Sequence, residues 1–510
     1  MTELSKQDIC IGERALPVFS QAYCEGDIIV PDSKPDMAQI LQTSANVVVS
    51  GKRCGADRIS VDGHCDITVL YLSEHGSICA VNTVQTFSHT ADAKGVTEDM
   101  EAEVEAQLQS ADCSIINSRK MNIKMLIAID ANACCPVNAQ LCTGIESDSE
   151  LHTLKKTVRP YKKVHRSCEQ MSIKERLDLP AGKPDIDTIL KTSMRFTVTE
   201  TKPIADKVVV NGTAYFTVLY LESSDSTKIQ TAEYELPFSE VIEAPGADEG
   251  MNVNARVRCE QLYVQPACDS DGDNRKFEIE CTAQIFCKVF CETELEVVED
   301  AYCTDCIMNA NKSAASIDRL AACNKMQITL KDTIELPSDI GEVYGLCARP
   351  DIASTVIEGG KVNVEGIMEV EVLYSPADCT PPIASFKHIH KFSQVVDCDG
   401  IDQSMMCDVN ISVEHINYSI VTSNELEFRI IASLDTRIIS KSNVSYVSEI
   451  ETEELPENEN MCCIKIYFVR PGDRLWDIAK RYRSTPERII AENELGGESD
   501  ICPGKKLIIM

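Results

Sequence analysis

The sequence predicts a mainly β protein, in which three tandem β-rich domains, sandwich or barrel-like in form, precede a small C-terminal βααβ module. The first observation behind this prediction is a segment that recurs three times along the chain. The second is that the residues around it are rich in β-branched and aromatic side chains and show no long helical periodicity. At 510 residues the chain is too long for a single hydrophobic core, which agrees with several domains.

The recurring segment ends in Val-Leu-Tyr and has a glycine eight residues before the tyrosine, at residues 63–71, 212–220 and 366–374. Each segment is followed by a Phe-Ser pair, a glycine eight residues after that phenylalanine and a methionine five residues further on. The tyrosines are 149 and 154 residues apart, which is far longer than a solenoid repeat. We therefore predict three copies of one domain, at residues 1–165, 166–322 and 323–448.

Two local features are predicted inside the copies. The glycine of the recurring segment (Gly63, Gly212 and Gly366) falls within a strand pattern, where a bulge or bend is the usual reason for glycine. Apolar residues at helical spacing follow Pro-Asp in the first two copies, and they predict a small helix at residues 36–41 and at residues 185–190. The third copy matches this helical pattern less well.

The last stretch, residues 461–510, changes to a different pattern. Alternating apolar residues predict a strand at 464–468, and apolar positions at helical spacing predict a first helix that Asp473 is placed to cap. After a second helix, a Pro-Gly turn leads into a closing strand at 507–509. A unit of this size needs a well-packed core, which we predict from its apolar residues to be Leu475, Ile478, Ile489, Ile490, Leu507 and Ile509.

The second helix of this module has clear start signals. Thr485 is placed as its N-cap, and Pro486 occupies the first helical position, where a missing N–H costs nothing. Glu487 follows in the first turn, where the helix dipole favours an anion. These signals predict a helix that begins at Pro486.

The βααβ order, the run at residues 469–479, and the later Tyr482, Asn493 and residues 503–507 closely resemble the LysM module. LysM modules generally bind N-acetylglucosamine-containing glycans such as peptidoglycan, in a shallow groove between two loops. Carried onto this chain, the resemblance implies a glycan- or partner-binding groove lined by Gly472, Asp473, Arg474, Glu494, Leu495 and Gly496.

Two residues of the LysM-like run leave alternatives open. Arg474 stands where the family usually has threonine or serine, and a long cation there disfavours a glycan and suits an acidic protein partner. Arg481 and Arg483 add positive charge nearby. Trp476, the only tryptophan of the chain, either packs against a neighbouring element or contacts a partner.

The charge of the chain excludes some classes of partner. The net charge is −32, and residues 464–510 hold 9 basic and 7 acidic residues (+2), which leaves −34 for the remainder. Nucleic acid and anionic membrane surfaces are therefore not expected as partners. No apolar run approaches the length of a transmembrane segment and the N-terminus lacks a signal-peptide pattern, so we expect a cytoplasmic protein.

Residues 449–460 form an acidic linker with six glutamates and almost no apolar residue. Such a segment cannot bury surface, so we expect it to be flexible or extended. The C-terminal module, residues 461–510, would then be displayed away from the body.

No enzyme or cofactor is expected, because phosphate loops, dinucleotide fingerprints and nucleophile elbows are missing from the sequence.

The acidic run at 269–273 resembles a calcium-binding loop but lacks the glycine of that loop, and we predict that it forms a hairpin turn. Cys303 and Cys306 form an isolated CxxC, and His388 and His390 share one face of a predicted strand; neither pair is expected to bind a metal. The 25 cysteines are expected to be free thiols or small buried apolar residues.

A LysM module after a body of three such repeats resembles the SPOCS-domain spore-coat morphogenetic proteins of endospore-forming bacteria, the SipL and SpoVID group. The resemblance implies a non-enzymatic sporulation protein in the mother-cell cytoplasm. It would tether the spore-coat basement layer, built by the SpoIVA-type ATPase, to the forespore surface through its LysM module. The alternative is a cell-wall protein that binds peptidoglycan or other N-acetylglucosamine glycans.

Overall fold

The computed structural model describes residues 3–454 and 464–509, and 75% of the residues lie in strands. The first copy consists of β1 (Glu3–Ile29), β2 (Met37–Gly55), β3 (Arg58–Ser73), β4 (Ile78–Asp92), β5 (Glu101–Asn117) and β6 (Lys120–Glu146). The second copy consists of β7 (Leu151–Val158), β8 (Tyr161–Asp178), β9 (Ile186–Ile204), β10 (Lys207–Glu222), β11 (Asp225–Glu243), β12 (Asn252–Cys268), β13 (Asn274–Glu292) and β14 (Leu295–Cys303). The third copy consists of β15 (Ile307–Glu335), β16 (Ile340–Glu358), β17 (Lys361–Pro376), β18 (Ala384–Asp397), β19 (Met406–Ile420) and β20 (Glu425–Glu453). The C-terminal module consists of β21 (Lys465–Phe468), α1 (Leu475–Tyr482), α2 (Pro486–Glu492), a short 3-10 helix (Glu498–Asp500) and β22 (Lys506–Ile509).

Each copy is a sandwich of two three-stranded antiparallel sheets. The strand orders are β1-β6-β5 with β2-β3-β4 in the first copy, β12-β13-β8 with β11-β10-β9 in the second, and β15-β20-β19 with β16-β17-β18 in the third. Alternate residues of the central strands point inward, as on β3, where Ile59, Val61 and Val69 are fully buried. The predicted mainly β class is confirmed, and of the two forms that the sequence allowed, the sandwich is the one that forms.

The two predicted small helices are wrong, because both segments are strands. The run at 36–41 enters β2, and the run at 185–190 enters β9. Each run carries two β-bulges against its partner strand, between Met37 and Gln39 and between Ile40 and Gln42 in the first copy. A bulge adds a residue to one strand and so interrupts the two-residue alternation. The apolar residues therefore recur at three- and four-residue intervals, which imitates a helix.

The recurring glycine is required by a close approach across the sheet. Gly366 on β17 lies opposite Phe392 on β18, and a bulge interrupts the pairing with β16 beside it, as predicted. A Cβ atom at Gly366 would lie 2.5 Å from the backbone oxygen of Asp351 and 2.5 Å from the Phe392 ring. Gly63 and Gly212 are in the same situation. The glycine and the later Phe-Ser pair therefore recur together because the phenylalanine ring covers the glycine.

The recurring Val-Leu-Tyr links each sandwich to the other two. The tyrosines point into their own sandwiches and are almost completely buried; the hydroxyl of Tyr71, for example, donates to the carbonyl of Pro35 at 2.9 Å. The intervening leucines point to the opposite face, where Leu70, Leu219 and Leu373 belong to one apolar cluster shared by all three copies. One short motif thus supplies a core residue and a contact between copies.

At the opposite end, each copy extends into a two-stranded ribbon formed by its first and last strands. The ribbons are the start of β1 with the end of β6, β7 with β14, and the start of β15 with the end of β20. Their apolar faces share one cluster, which includes Ile9, Ile11, Leu141, Val158, Val297, Ile317 and Val444.

The predicted domain limits at 165 and 322 fall within β8 and β15. Residues 449–453 of the predicted linker are the end of β20, and residues 455–460 lie outside the described residues.

Candidate binding site

The C-terminal module folds as predicted. β21 and β22 pair antiparallel, with Tyr467 opposite Leu507, and α1 and α2 pack on them. Five of the six predicted core residues are buried, and Ile490 is partly buried against them. The predicted N-cap of α2 is confirmed, because the Thr485 hydroxyl accepts from the backbone N–H of Arg488 at 3.0 Å. Glu487 lies in the first turn of α2.

The predicted cap of α1 is wrong. Arg474 is the N-cap residue, and its guanidinium has no acceptor atom for the N–H groups of the first turn of the helix. Asp473 instead accepts from the backbone N–H of Arg470 at 2.8 Å and from the Tyr467 hydroxyl at 2.7 Å. Both hydrogen bonds lower the pKa of Asp473, and the one from Arg470 has the larger effect. The carboxylate therefore fixes the loop before α1.

The two loops predicted to line a groove lie at the surface around one small core. Gly472 is exposed and has a φ of 86°, a conformation that favours glycine. In the second loop Glu494 is exposed with a φ of 50°, and the backbone N–H of Gly496 donates to Asp500 at 3.0 Å. Leu495 is buried in the core of the module, so its side chain is not on the surface.

Two of the arginines predicted to meet an acidic partner, Arg474 and Arg481, already have partners inside the module. Arg474 donates to both carboxylate oxygens of Asp477, at 2.9 and 3.1 Å, while its side chain stays 58% exposed. Arg481 donates to the Tyr467 hydroxyl at 3.3 Å. An exposed ion pair such as Arg474–Asp477 contributes less than about 1 kcal/mol, so a partner can displace it at low cost.

Comparison with known families agrees with this geometry. The family described as SipL, SPOCS domain, matches residues 36–116, 185–266 and 339–421, which cover the β2–β5 region of the first copy and its counterparts in the other two. The LysM domain matches residues 467–509. The chain contains three SPOCS domains and one LysM domain. Neither a curated protein nor a solved structure matches the chain.

These families define the broad class of the protein. SPOCS domains imply spore-coat morphogenesis and LysM domains imply peptidoglycan binding, and both are non-catalytic binding modules. Among the described residues, no helix is long and apolar enough to cross a membrane.

The LysM domain is docked on the body, so the prediction that it is displayed away from the SPOCS copies is wrong. Its tryptophan packs edge-on against Tyr302 of β14, with ring centroids 4.9 Å apart, and the Trp476 Nε1–H donates to Asp300 at 3.0 Å. The Tyr302 hydroxyl donates to the backbone carbonyl of Ser484 at 2.8 Å. Of the two alternatives for Trp476, packing against a neighbouring element is the one observed.

Asp300 is the centre of this docking face, which we define as Asp300 and Tyr302 of the body with Trp476, Lys480 and Ser484 of the LysM domain. The Asp300 side chain is only 4% exposed and lies 2.6 Å from the Lys480 ammonium and 3.3 Å from that of Lys312. Burial alone would raise the pKa of Asp300, but the hydrogen bonds from Lys480 and Trp476 lower it. The buried carboxylate is thus ionised and satisfied by both sides of the interface.

Sequence reasoning missed Asp300 and Tyr302. Their partners are distant in the chain. Asp300 and Trp476 are 176 residues apart, and Tyr302 and Ser484 are 182 residues apart. The available signal was the acidic pair Glu299-Asp300, which lies between apolar residues of β14, since a buried charge requires a partner.

The other predicted features also have clear positions. The acidic run forms a hairpin turn as predicted, with the Asp269 carboxylate accepting from the backbone N–H groups of Asp271 and Asp273. Cys303 and Cys306 lie at the turn between β14 and β15, close to the Asp305 carboxylate. Every cysteine among the described residues is a free thiol, and many, such as Cys65, are fully buried like apolar side chains.

Proposed function

We propose that this protein is a non-enzymatic sporulation factor that joins the spore-coat basement layer, through a SpoIVA-type ATPase, to the forespore surface from the mother-cell cytoplasm. The LysM domain is the proposed contact, with Gly472, Asp473, Arg474, Glu494 and Gly496 around the binding groove and the buried Leu495 supporting the second loop from the core. The observation that carries the proposal is the docking of a LysM domain on a body of three SPOCS domains through α1, which leaves Gly472, Arg474 and Gly496 exposed.

The chemistry of the groove loops supports a protein partner. Arg474 is held by an exposed ion pair with Asp477, so its guanidinium can exchange that carboxylate for one of an acidic partner. The fixed position of the LysM domain also favours protein binding, because it reduces the entropy lost when a second protein docks across the LysM domain and the body.

The test is binding of the full chain to a purified SpoIVA-type ATPase and to purified peptidoglycan, with Arg474→Thr as the variant. Arg488→Thr is the matched control, because Arg488 is also 58% exposed and also pairs with a carboxylate on its own helix, Glu492. We expect Arg474→Thr to weaken binding to the ATPase about tenfold, as loss of one charged hydrogen-bonding partner does, while Arg488→Thr binds normally.

The second candidate function is binding of peptidoglycan or another N-acetylglucosamine glycan, which the LysM match favours. In that case the full chain is retained on peptidoglycan, Arg474→Thr improves retention because threonine restores the usual residue of the family, and the ATPase is not bound. That combination of results would replace the coat-tether proposal with the glycan-binding one.

A further inference from the structure

Three possible metal ligands meet on the third SPOCS copy. His388 and His390 are two residues apart on β18, so both imidazoles point to the same face of the sheet. The carboxylate of Asp332 on β15 lies between them: its Oδ2 atom is 3.1 Å from His388 Nε2 and 2.8 Å from His390 Nδ1. One donor atom from each residue lies within 4.8 Å of the others.

The surroundings hold these three side chains in place and keep them accessible. The other carboxylate oxygen of Asp332 accepts from the backbone N–H of Thr333 at 2.8 Å, which leaves Oδ2 for the imidazoles. The Phe428 ring flanks both imidazoles, with centroids 6.3 and 5.8 Å away. The side chains of His388, His390 and Asp332 are 29%, 19% and 38% exposed, so an ion can enter from solvent.

The composition of the cluster suits a cation. A carboxylate lies beside two imidazoles, and its negative charge attracts a cation to their nitrogen ligands.

The cluster is specific to the third copy, although the fold is shared by all three. The two histidines lie two and four residues before the phenylalanine that covers the recurring glycine. The corresponding residues are Gln85 and Thr83 in the first copy and Leu236 and Tyr234 in the second. Since those copies form the same sandwich without a histidine pair, the fold itself does not require the pair.

We propose that Asp332, His388 and His390 form a binding site for a divalent transition-metal ion, with Zn²⁺ as the preferred probe. This proposal replaces the expectation from the sequence that the two histidines bind no metal, because the sequence did not reveal Asp332 as a third ligand. Zinc binds imidazole nitrogen and carboxylate oxygen at about 2.0–2.2 Å, which places neighbouring ligands of a tetrahedral site about 3.3 Å apart. The distances from Asp332 Oδ2 to His390 Nδ1 and His388 Nε2, 2.8 and 3.1 Å, therefore need to increase by only a few tenths of an ångström. Each imidazole would move its proton to the ring nitrogen that faces away from the ion.

Three protein ligands leave a fourth coordination position open on the solvent side. Sites of this kind complete their coordination with water or with a ligand from another molecule. The third SPOCS copy would therefore carry a metal ion that can take an additional donor from a partner, which the other two copies lack.

The experiment is titration of the full chain with ZnCl₂ by calorimetry and with CoCl₂ by visible absorption. We expect one equivalent of metal to bind, with Co²⁺ bands typical of nitrogen and oxygen ligands. The variant is His388→Thr with His390→Gln, which installs the residues of the first copy, and we expect it to lose that equivalent. The control is His64→Gln with His89→Gln, which removes two histidines from the first copy. This control should still bind one equivalent of metal.

Two further measurements make the result decisive. Asp332→Asn keeps the size of the side chain but removes its charge, so it should weaken Zn²⁺ binding even if the histidine variant folds poorly. A sulfur-to-cobalt charge-transfer band would instead place the ion on cysteine thiolates, for which Cys303 and Cys306 beside Asp305 are the candidate pair. That band, or equal binding by the wild-type protein and the histidine variant, would overturn the proposal.

Discussion

The three SPOCS copies and the LysM domain are held in the molecule in different ways. The copies meet through many contacts, which include the apolar cluster of Leu70, Leu219 and Leu373 and ion pairs such as Lys288–Glu103. The LysM domain instead meets the body at one small docking face, through the polar contacts of Asp300 and the Tyr302 ring. The contacts between the copies are thus distributed over many residues, whereas at the docking face a single buried carboxylate accepts hydrogen bonds from several partners. A single change should therefore weaken the body partially but release the LysM domain.

The largest effect is expected from Leu219→Ala at the apolar contact between the copies. Truncating a buried leucine removes transfer free energy and leaves a cavity, which costs about 3 kcal/mol of the free energy of unfolding. Urea unfolding followed by far-UV circular dichroism measures the loss. Ile389→Ala is the control, because Ile389 is 57% exposed and should cost less than about 0.5 kcal/mol. Equal losses would mean that the copies do not meet through Leu219.

The next effect is expected from Asp300→Ala at the docking face. The Trp476 N–H and the Lys480 ammonium lose their acceptor, and unsatisfied groups of this kind cost about 2 kcal/mol. Hydrogen exchange in α1 should become faster while the SPOCS sheets keep their protection. Glu296→Ala on the same strand is the control, since Glu296 is exposed and pairs only with Lys155 among the described contacts. Unchanged exchange in α1 would show that Asp300 does not hold the domain.

Acid should weaken the same contact reversibly. The pKa of Asp300 is lowered in the docked state, so its contribution is complete above the ordinary aspartate pKa of about 4 and declines as the pH falls towards the lowered value. Hydrogen exchange of α1 should therefore accelerate below about pH 4 relative to the SPOCS sheets. Asp300→Asn cannot titrate, so its docking should be weaker but insensitive to pH in this range. An equal pH response in both proteins would contradict the role of Asp300.

The smallest effect is expected from Tyr302→Phe. The substitution removes the hydroxyl that donates to the Ser484 carbonyl but keeps the ring that packs on Trp476, so it should cost about 1 kcal/mol of docking. Exchange in α1 should accelerate less than in Asp300→Ala. An effect as large as that of Asp300→Ala would mean that the aromatic contact, rather than the carboxylate, dominates the docking face.

Much of the fold could be predicted from the sequence because the signals were local. The recurring glycine, Phe-Ser pair and Val-Leu-Tyr identified three copies, and two-residue alternation identified strands. The Thr485 cap and Pro486 fixed the start of α2, since an N-cap depends only on residues within one turn. The same local reasoning failed for residues 36–41, where bulges set by the pairing of β2 with β3 imitated a helix.

The candidate site was predicted less completely. The sequence named the loops around Gly472 and Gly496, and both lie at the surface of the LysM domain. It assigned Asp473 to a helix cap, although the carboxylate is used by Arg470 and Tyr467, because several nearby donors compete for one acceptor. It noted His388 and His390 without their partner Asp332, which lies on a strand that is distant in the chain.

The three copies, most of their strands and the βααβ module could be inferred from local patterns, since they follow from periodicity, turn residues and caps within a few residues of each other. Tertiary contacts were needed to show that the leucines of Val-Leu-Tyr join the copies, that Asp300 and Tyr302 hold the LysM domain, and that Asp332 meets two histidines. These contacts join residues that are far apart in the chain, and their distances depend on the whole packed fold rather than on any local pattern.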